Sequence, residues 1–434
     1  MSIEYFKRYF GYTFWVGLEA VVFAGVSRLL IFPIAAYLLG KEEFGLFLFS
    51  LGIVMMIGKA PSGGLETGII RHFAELDGPG RDILVSTGLK LCKIAMWLVV
   101  FAGIVVLGVV RYFRPMNPKI ILCLIPLFVL LYSWNLFELQ MVRYRVERKF
   151  ALRTGWYGIL GASLFISIPA AIFFGVIGMA WGFTLGYMIA QIMLSWRQGI
   201  LFKRSVYDAK MASSLMQIWF HLTVAGVIMM SSKYIYSIIL GIFNSYSSVS
   251  VFFGATNIIY LAIAPLTILS SLLLSMLAGF KSLANLGKRQ RYTVLAGAVS
   301  IAVGASLVVF IFGPFILSVM FPEFAAESSV ILRWLVFIIP WRVAEQFSRP
   351  FVAKFGPIKF VPVLNFIALL GHLIPAALLI PKLGINGAVI SYNIGCGMSA
   401  IAWLGTLIWT FKFCSVSEPY VESNDFVEDH ASQK

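Results

Sequence analysis

Long apolar stretches recur along the chain, separated by short polar segments. Twelve can be marked, at about 12–39, 44–68, 91–113, 120–142, 154–174, 176–196, 214–240, 249–280, 292–319, 328–347, 361–380 and 385–411. A bilayer crossing needs about 20 consecutive apolar residues. Backbone in lipid must satisfy its own hydrogen bonds, so runs of this length predict helices.

The runs also repeat. Phe174-Gly175-Val176-Ile177-Gly178 joins the fifth to the sixth, and Leu383-Gly384-Ile385-Asn386-Gly387 joins the eleventh to the twelfth. Gly186 and Gly395 continue the match, and all three glycine pairs share an offset of 209 residues, near half the chain. Six spans per half is an even number, so both halves have the same orientation, as in parallel-repeat transporters. The predicted fold class is an all-α polytopic membrane protein, with about twelve transmembrane helices in two six-helix lobes related by a pseudo-twofold axis along the membrane normal. The lobes are expected at 1–205 and 206–414, followed by a polar tail, 415–434, whose composition predicts disorder.

Composition agrees. Of 434 residues, 60% are hydrophobic and only 12% charged, and mean hydropathy is +0.91. The formal charge of +15 could suggest a nucleic-acid partner, but the cations sit in short loops between spans. Most of the 34 Lys and Arg follow even-numbered spans or flank the termini, including Arg143, Arg145, Arg148, Lys149 and Arg153 after the fourth, and Arg342, Arg349, Lys354 and Lys359 around the exit from the tenth. The opposite side holds Lys41, Arg111, Arg114, Lys119 and Lys382 and an acidic loop from Phe321 to Glu327. The positive-inside rule then places both termini of this multi-pass membrane protein in the cytoplasm. The N-terminus lacks a small-residue cleavage site, so the first span is expected to persist. Cys92, Cys123, Cys396 and Cys414 have no ligand-like spacing, so neither a metal nor another cofactor is expected.

Charges within the spans are the candidate functional groups. Arg28, Lys59, Lys233 and Arg333 each cost about 2.5–3.5 kcal/mol at mid-membrane. Such groups face a bundle interior or wet cavity, or pair across helices. Lys233 and Arg333 lie toward span ends, where snorkelling lowers the cost, and for Arg333 an interface position stands beside a ligand contact. The carboxylates noted are Glu19, Glu66 and Glu138. Glu19 and Arg28 fall on opposite helix faces, whereas Lys59 and Glu66 share one, with Pro61 between them. His221 and His372 fit interhelical hydrogen bonding better than proton transport. A cavity lined by Arg and Lys from both halves favours an anion such as pyrophosphate, because guanidinium forks hold phosphate oxygens and Lys adds a point charge. Trp15, Tyr37, Trp134, Tyr157, Trp181 and Tyr234 could stack on sugars, with interface anchoring the simpler account for most.

Arg28-Leu29-Leu30 followed by Leu39-Gly40-Lys41-Glu42-Glu43-Phe44-Gly45-Leu46-Phe47 resembles the opening of Wzx-type polysaccharide flippases. Gly64 through Gly68 with Ile69-Ile70-Arg71 is similar to that family's second-span exit. Leu240-Gly241 with Val249 and Phe252, Phe321-Pro322-Glu323-Phe324, and Gly384-Ile385-Asn386-Gly387-Ala388 also fit. The resemblance covers nearly the whole chain through short motifs. It implies membership of the multidrug/oligosaccharidyl-lipid/polysaccharide exporter superfamily, and a flippase moving undecaprenyl-pyrophosphate-linked oligosaccharide, such as an O-antigen or exopolysaccharide repeat unit. The cationic cavities of that family would put Arg28, Lys59 and Lys233 on the pyrophosphate or glycan path. The chain departs from the pattern at Lys233, where many relatives carry an acidic–basic pair.

The leading expectation is therefore a non-enzymatic flippase working by alternating access, with substrate contacts from Arg28, Lys59, Lys233 and Arg333 and ion coupling through Glu19, Glu66 or Glu138. Its expected partners are the lipid-linked oligosaccharide, membrane lipids and other polysaccharide-assembly membrane proteins, with no nucleic acid. The alternative is a cation-coupled multidrug or small-molecule exporter of the same superfamily, which would be expected to expose carboxylates to its cargo. A membrane polymerase or ligase would need a larger outer loop carrying catalytic groups.

Overall fold

The computed structural model describes residues 14–15, 17–19, 22, 25–73, 76, 78–113, 117–147, 149–199, 207–277, 288–356 and 360–413. The tail at 415–434 lies outside them. A π-helical turn, Val26–Ile31, leads into α1, Phe32–Met56. There follow α2 (Gly63–Phe73), α3 (Gly78–Phe113), α4 (Pro118–Val146), α5 (Phe150–Leu164) and α6 (Ser167–Arg197). The second half contains α7 (Ala209–Phe243), α8 (Tyr246–Leu277), α9 (Lys288–Met320), α10 (Ala325–Leu335), α11 (Ile338–Phe355) and α12 (Phe360–Phe413). No strand occurs among the described residues.

Seven of these helices are individually long and apolar enough to cross a membrane. The twelve crossings emerge once turns and breaks are read together. Three helices fold back on themselves at a glycine with positive φ: Gly40 at 71°, Gly175 at 59° and Gly384 at 55°. Phe32 packs back on Phe44 and Phe47 across the first turn. Conversely, the limb of α1 after Gly40 and α2 form one crossing interrupted at 57–62, and α5 continues through Phe165 and Ile166 into the limb of α6 before Gly175. The tenth crossing is also broken: its segments Pro322–Leu335 and Ile338–Val352 meet at 53°.

The glycine repeat becomes a repeated hairpin. A methyl group on Gly178 would lie 1.9 Å from the Ala170 carbonyl oxygen, and one on Gly387 would lie 2.3 Å from that of Leu379. Ala170 and Leu379 are themselves 209 residues apart. One turn deeper, Gly186 abuts Ser163 and Gly395 abuts His372, again at the same offset. No side chain fits at these places, and the turn residues need a left-handed backbone, which glycine adopts without steric cost. The shared sequence offset therefore reports shared packing.

Within the first half, α4 packs on α6 and α1 on both; within the second, α12 packs on α7 and α11. The halves meet chiefly where α1 faces α8 and α2 faces α7. The largest buried cluster crosses that seam. At its hairpin end Phe32 and Phe44 make edge contacts with Phe253, at 5.4 and 5.8 Å between centroids, and Phe44 stacks toward Phe321 at 6.4 Å. Edge and offset contacts of this kind each add about 0.5–1.5 kcal/mol beyond area burial.

Candidate functional site

On the side of the phenylalanine cluster away from the hairpin turns, the halves enclose a cavity of about 270 Å³. The first half contributes Arg28, Phe32, Trp134 and Tyr187 to its wall, and the second contributes Lys233, Tyr234, Tyr260 and Tyr392. No carboxylate is among the lining residues.

Arg28 is held by its backbone as well as its charge. It sits in the π-helical turn, which displaces the regular hydrogen-bond ladder. Asn257 on α8 donates to the Arg28 carbonyl at 3.2 Å, and its own Oδ1 accepts from the Arg28 guanidinium at 2.9 Å. The guanidinium also lies 4.8 Å from the Tyr260 ring. One residue of the second half thus fixes both ends of a first-half cation. Lys233 differs: its side chain is exposed to the cavity, and it makes no hydrogen bond or ion pair among the described residues. An unengaged ammonium beside a fixed guanidinium makes the chamber positive.

The other predicted residues are distributed around this chamber. Lys59 pairs with Glu66 at 3.0 Å, as their spacing suggested, and Ser62 donates to the same carboxylate. Lys59 also lies 5.2 Å from the Trp134 ring, which lines the cavity, so it sits one side chain behind the wall. Arg333 is exposed on α10 and is absent from the lining; the structure does not bring it to Arg28 and Lys233. Its span is broken and bent, so a position read as inside an apolar run falls on the surface of a short helix.

Glu19 and Glu138 belong to a cluster inside the first half. Glu19 pairs with Arg153 on α5 at 3.1 Å, and the Tyr157 hydroxyl donates to Glu138, 3.0 Å from each oxygen. Arg153 lies 5.6 Å from the Tyr157 ring. The sequence groups Arg153 with the basic loop after the fourth span; it is instead mostly buried and pairs with an intramembrane carboxylate.

A second cluster was missed. On α11, Arg342 binds Glu345 at 3.0 Å and Arg349 binds its other oxygen. Glu345 is buried, and Arg342 faces the ring of cavity-lining Tyr392 at 5.8 Å. The Tyr392 hydroxyl donates to that of Tyr260 at 3.1 Å. A chain of contacts therefore runs from Arg28 through Tyr260 and Tyr392 to Arg342. The signal was available: 342, 345 and 349 share one helix face. In the sequence the flanking arginines have the pattern of a span's basic exit, and that pattern hides Glu345 between them.

His372 bridges helices as expected, its Nδ1 lying 2.7 Å from the Tyr236 hydroxyl. The side chain of His221 lies outside the described residues. Of the aromatics singled out, Trp134 and Tyr234 reach the cavity, Tyr157 is buried against Glu138, and Trp15, Tyr37 and Trp181 are exposed.

No family model matches the sequence, and no curated protein does. Solved structures do. A MATE-family multidrug resistance transporter of the MOP superfamily, in an outward-facing conformation, aligns over 93% of this chain and 95% of its own with TM-score 0.66 and 16% identity. A MOP-superfamily transporter from Pyrococcus furiosus, described by a binding pocket of reversed polarity, aligns over 93% and 95% with TM-score 0.67 and 15% identity. The lipid II flippase MurJ, in an inward closed conformation, aligns over 95% and 90% with TM-score 0.65 and 15% identity. At these identities the likeness is one of fold. The chain has the two-lobed, all-helical membrane fold of MOP-superfamily transporters.

Proposed function

We propose that this protein is a flippase for undecaprenyl-pyrophosphate-linked oligosaccharide, an O-antigen or exopolysaccharide repeat unit, carried across the cytoplasmic membrane by alternating access. The observation that carries the reading is Arg28 and Lys233, one from each lobe, on a single aromatic-walled cavity with no lining carboxylate. The cations suit a pyrophosphate. The tyrosine hydroxyls and Trp134 suit a sugar, whose hydroxyls would each cost several kcal/mol unbonded in hydrocarbon. The fold shared with a lipid II flippase supports a lipid-linked cargo. In this reading the basic loops and both termini are cytoplasmic, the lobes are 1–205 and 206–414, no covalent chemistry is performed, and other polysaccharide-assembly membrane proteins receive the cargo. Lys59 supports the cavity from behind Trp134. Ion coupling falls to the Glu19–Arg153–Tyr157–Glu138 cluster, which is separate from the cargo cations.

The shared fold serves multidrug transporters equally well. Reconstituted protein separates the readings. Lipid-linked oligosaccharide should bind, organic cations should not, and Arg28→Ala or Lys233→Ala should abolish surface glycan while the protein remains inserted. Preferential binding of organic cations, or normal glycan output from both variants, overturns the proposal.

A further inference from the structure

The seam between α11 and the second limb of α12 contains more buried polar chemistry than its ion pairs use. The two helices run in parallel and in constant register. Arg342 lies beside Cys396, Arg349 lies 5.1 Å from the Trp403 ring, and Gly356 sits against Thr410. Each pair is separated by the same number of residues along the chain. That register places Ser399 level with Glu345, one turn from Trp403 on the same face.

Three polar atoms in this turn of the seam are buried without a hydrogen-bond partner among the described residues: Arg349 Nε, Ser399 Oγ and Trp403 Nε1. Ser399 and Trp403 are only 1% and 3% exposed. All three atoms can donate. Leaving buried donors unmet costs about 1–3 kcal/mol each. The charge is also uneven, with two arginines and a single carboxylate whose two oxygens they already occupy. Any group meeting these donors must therefore accept hydrogen bonds, and the surplus positive charge favours an anion over a neutral acceptor.

The geometry points to a site for a small monovalent anion, of halide size, between Arg349, Ser399 and Trp403. It is distinct from the central cavity, whose lining includes none of the three. It stands independently of the cargo, because it rests on donors within one lobe. An anion here neutralises the Arg–Glu–Arg triad, which reaches the cavity wall through Arg342 and Tyr392.

The test uses full-length protein in detergent, with sodium chloride exchanged for sodium gluconate at constant ionic strength. Chloride should raise Tm saturably and gluconate should not. Trp403→Phe keeps the ring against Arg349 but removes the N–H, and Ser399→Ala removes the hydroxyl; each should weaken the chloride shift and together they should abolish it. In a bromide soak, anomalous scattering should place the ion beside Arg349. Equal Tm values in the two salts, or an undiminished chloride shift in the double variant, would overturn the site and leave a bound water as its occupant. If the double variant does not fold, the bromide measurement on the unaltered protein decides, and absence of a peak at Arg349 counts against the proposal.

Discussion

Lys41 and Glu327 join the two halves at the hairpin end, with Nζ 2.6 Å from the carboxylate. Ser250 donates to the Lys41 carbonyl at 2.6 Å beside this pair, and Gly45 lies against the Tyr246 backbone. The phenylalanine cluster lies beneath them. Toward the basic end α2 and α7 stay packed, with Gly64 against the Trp219 backbone and His72 2.9 Å from Ser214, whereas past Arg28–Asn257 the segment before α1 and the end of α8 make contacts within their own halves. There Glu19 turns to Arg153 on α5, while Ser270 on α8 donates to the Gln346 carbonyl on α11. The cavity is thus sealed at the hairpin end by groups from both halves. Exposed pairs contribute only about 0.2–1 kcal/mol, so Lys41→Glu should increase labelling of a cysteine at cavity-lining Ser237 from that end by a few-fold, and Lys41→Glu with Glu327→Lys should restore the original rate. Unchanged labelling in the single variant would remove the pair from the seal.

Arg28 depends on Asn257 for its pose. Asn257→Leu removes both hydrogen bonds and leaves the carbonyl freed by the π turn unmet, at about 1–3 kcal/mol. Transport should fall strongly while insertion is retained. Arg28→Lys should not rescue it, because an ammonium cannot reproduce the guanidinium's paired geometry. Transport rates in vesicles check both variants.

The Glu19–Arg153 pair is mostly buried, at 15% and 14% side-chain exposure. Arg153→Ala strands a carboxylate and should lower stability by about 3 kcal/mol, whereas Glu19→Gln with Arg153→Met should cost far less, since removing both charges relieves the desolvation. Thermal unfolding of the two variants in one detergent makes the comparison.

Outside the membrane, Glu147 caps α4. Burial alone would raise its pKa, but hydrogen bonds from Lys149 and Arg143 outweigh that and hold it below the usual carboxylate range. A depressed folded-state pKa gives stability that is present above the unfolded value, about 4.3, and lost as pH falls through the folded one. Glu147→Gln should therefore lower Tm at neutral pH, and the difference from wild type should shrink below about pH 4.

Much of this architecture was legible in the chain. Gly175 and Gly384 marked the turns, and Gly178 and Gly387 marked where the limbs close, because only glycine permits both. Lys59 and Glu66 were legible as a pair because helical spacing holds approximately even across the broken turn. Arg333 and the Arg342–Glu345–Arg349 triad were not. Their span bends at Val336 and Phe337, and hydropathy does not register a bend. Arg153 misled for a related reason: a cation just past a basic loop can return into the bundle when a carboxylate awaits it.

The close-packed glycine limbs have a mechanical corollary. Gly178→Val and Gly387→Val should each lower stability by about 1–3 kcal/mol or more, while Gly155→Ala, with open space around its Cα, should be tolerated on thermal unfolding. Limbs locked backbone to backbone cannot scissor, so each acts as a stiff lever. Cargo gripped between Arg28 and Lys233 would then be moved by swinging whole levers about the α1–α8 and α2–α7 fulcrum, with little internal flexing to dissipate the stroke.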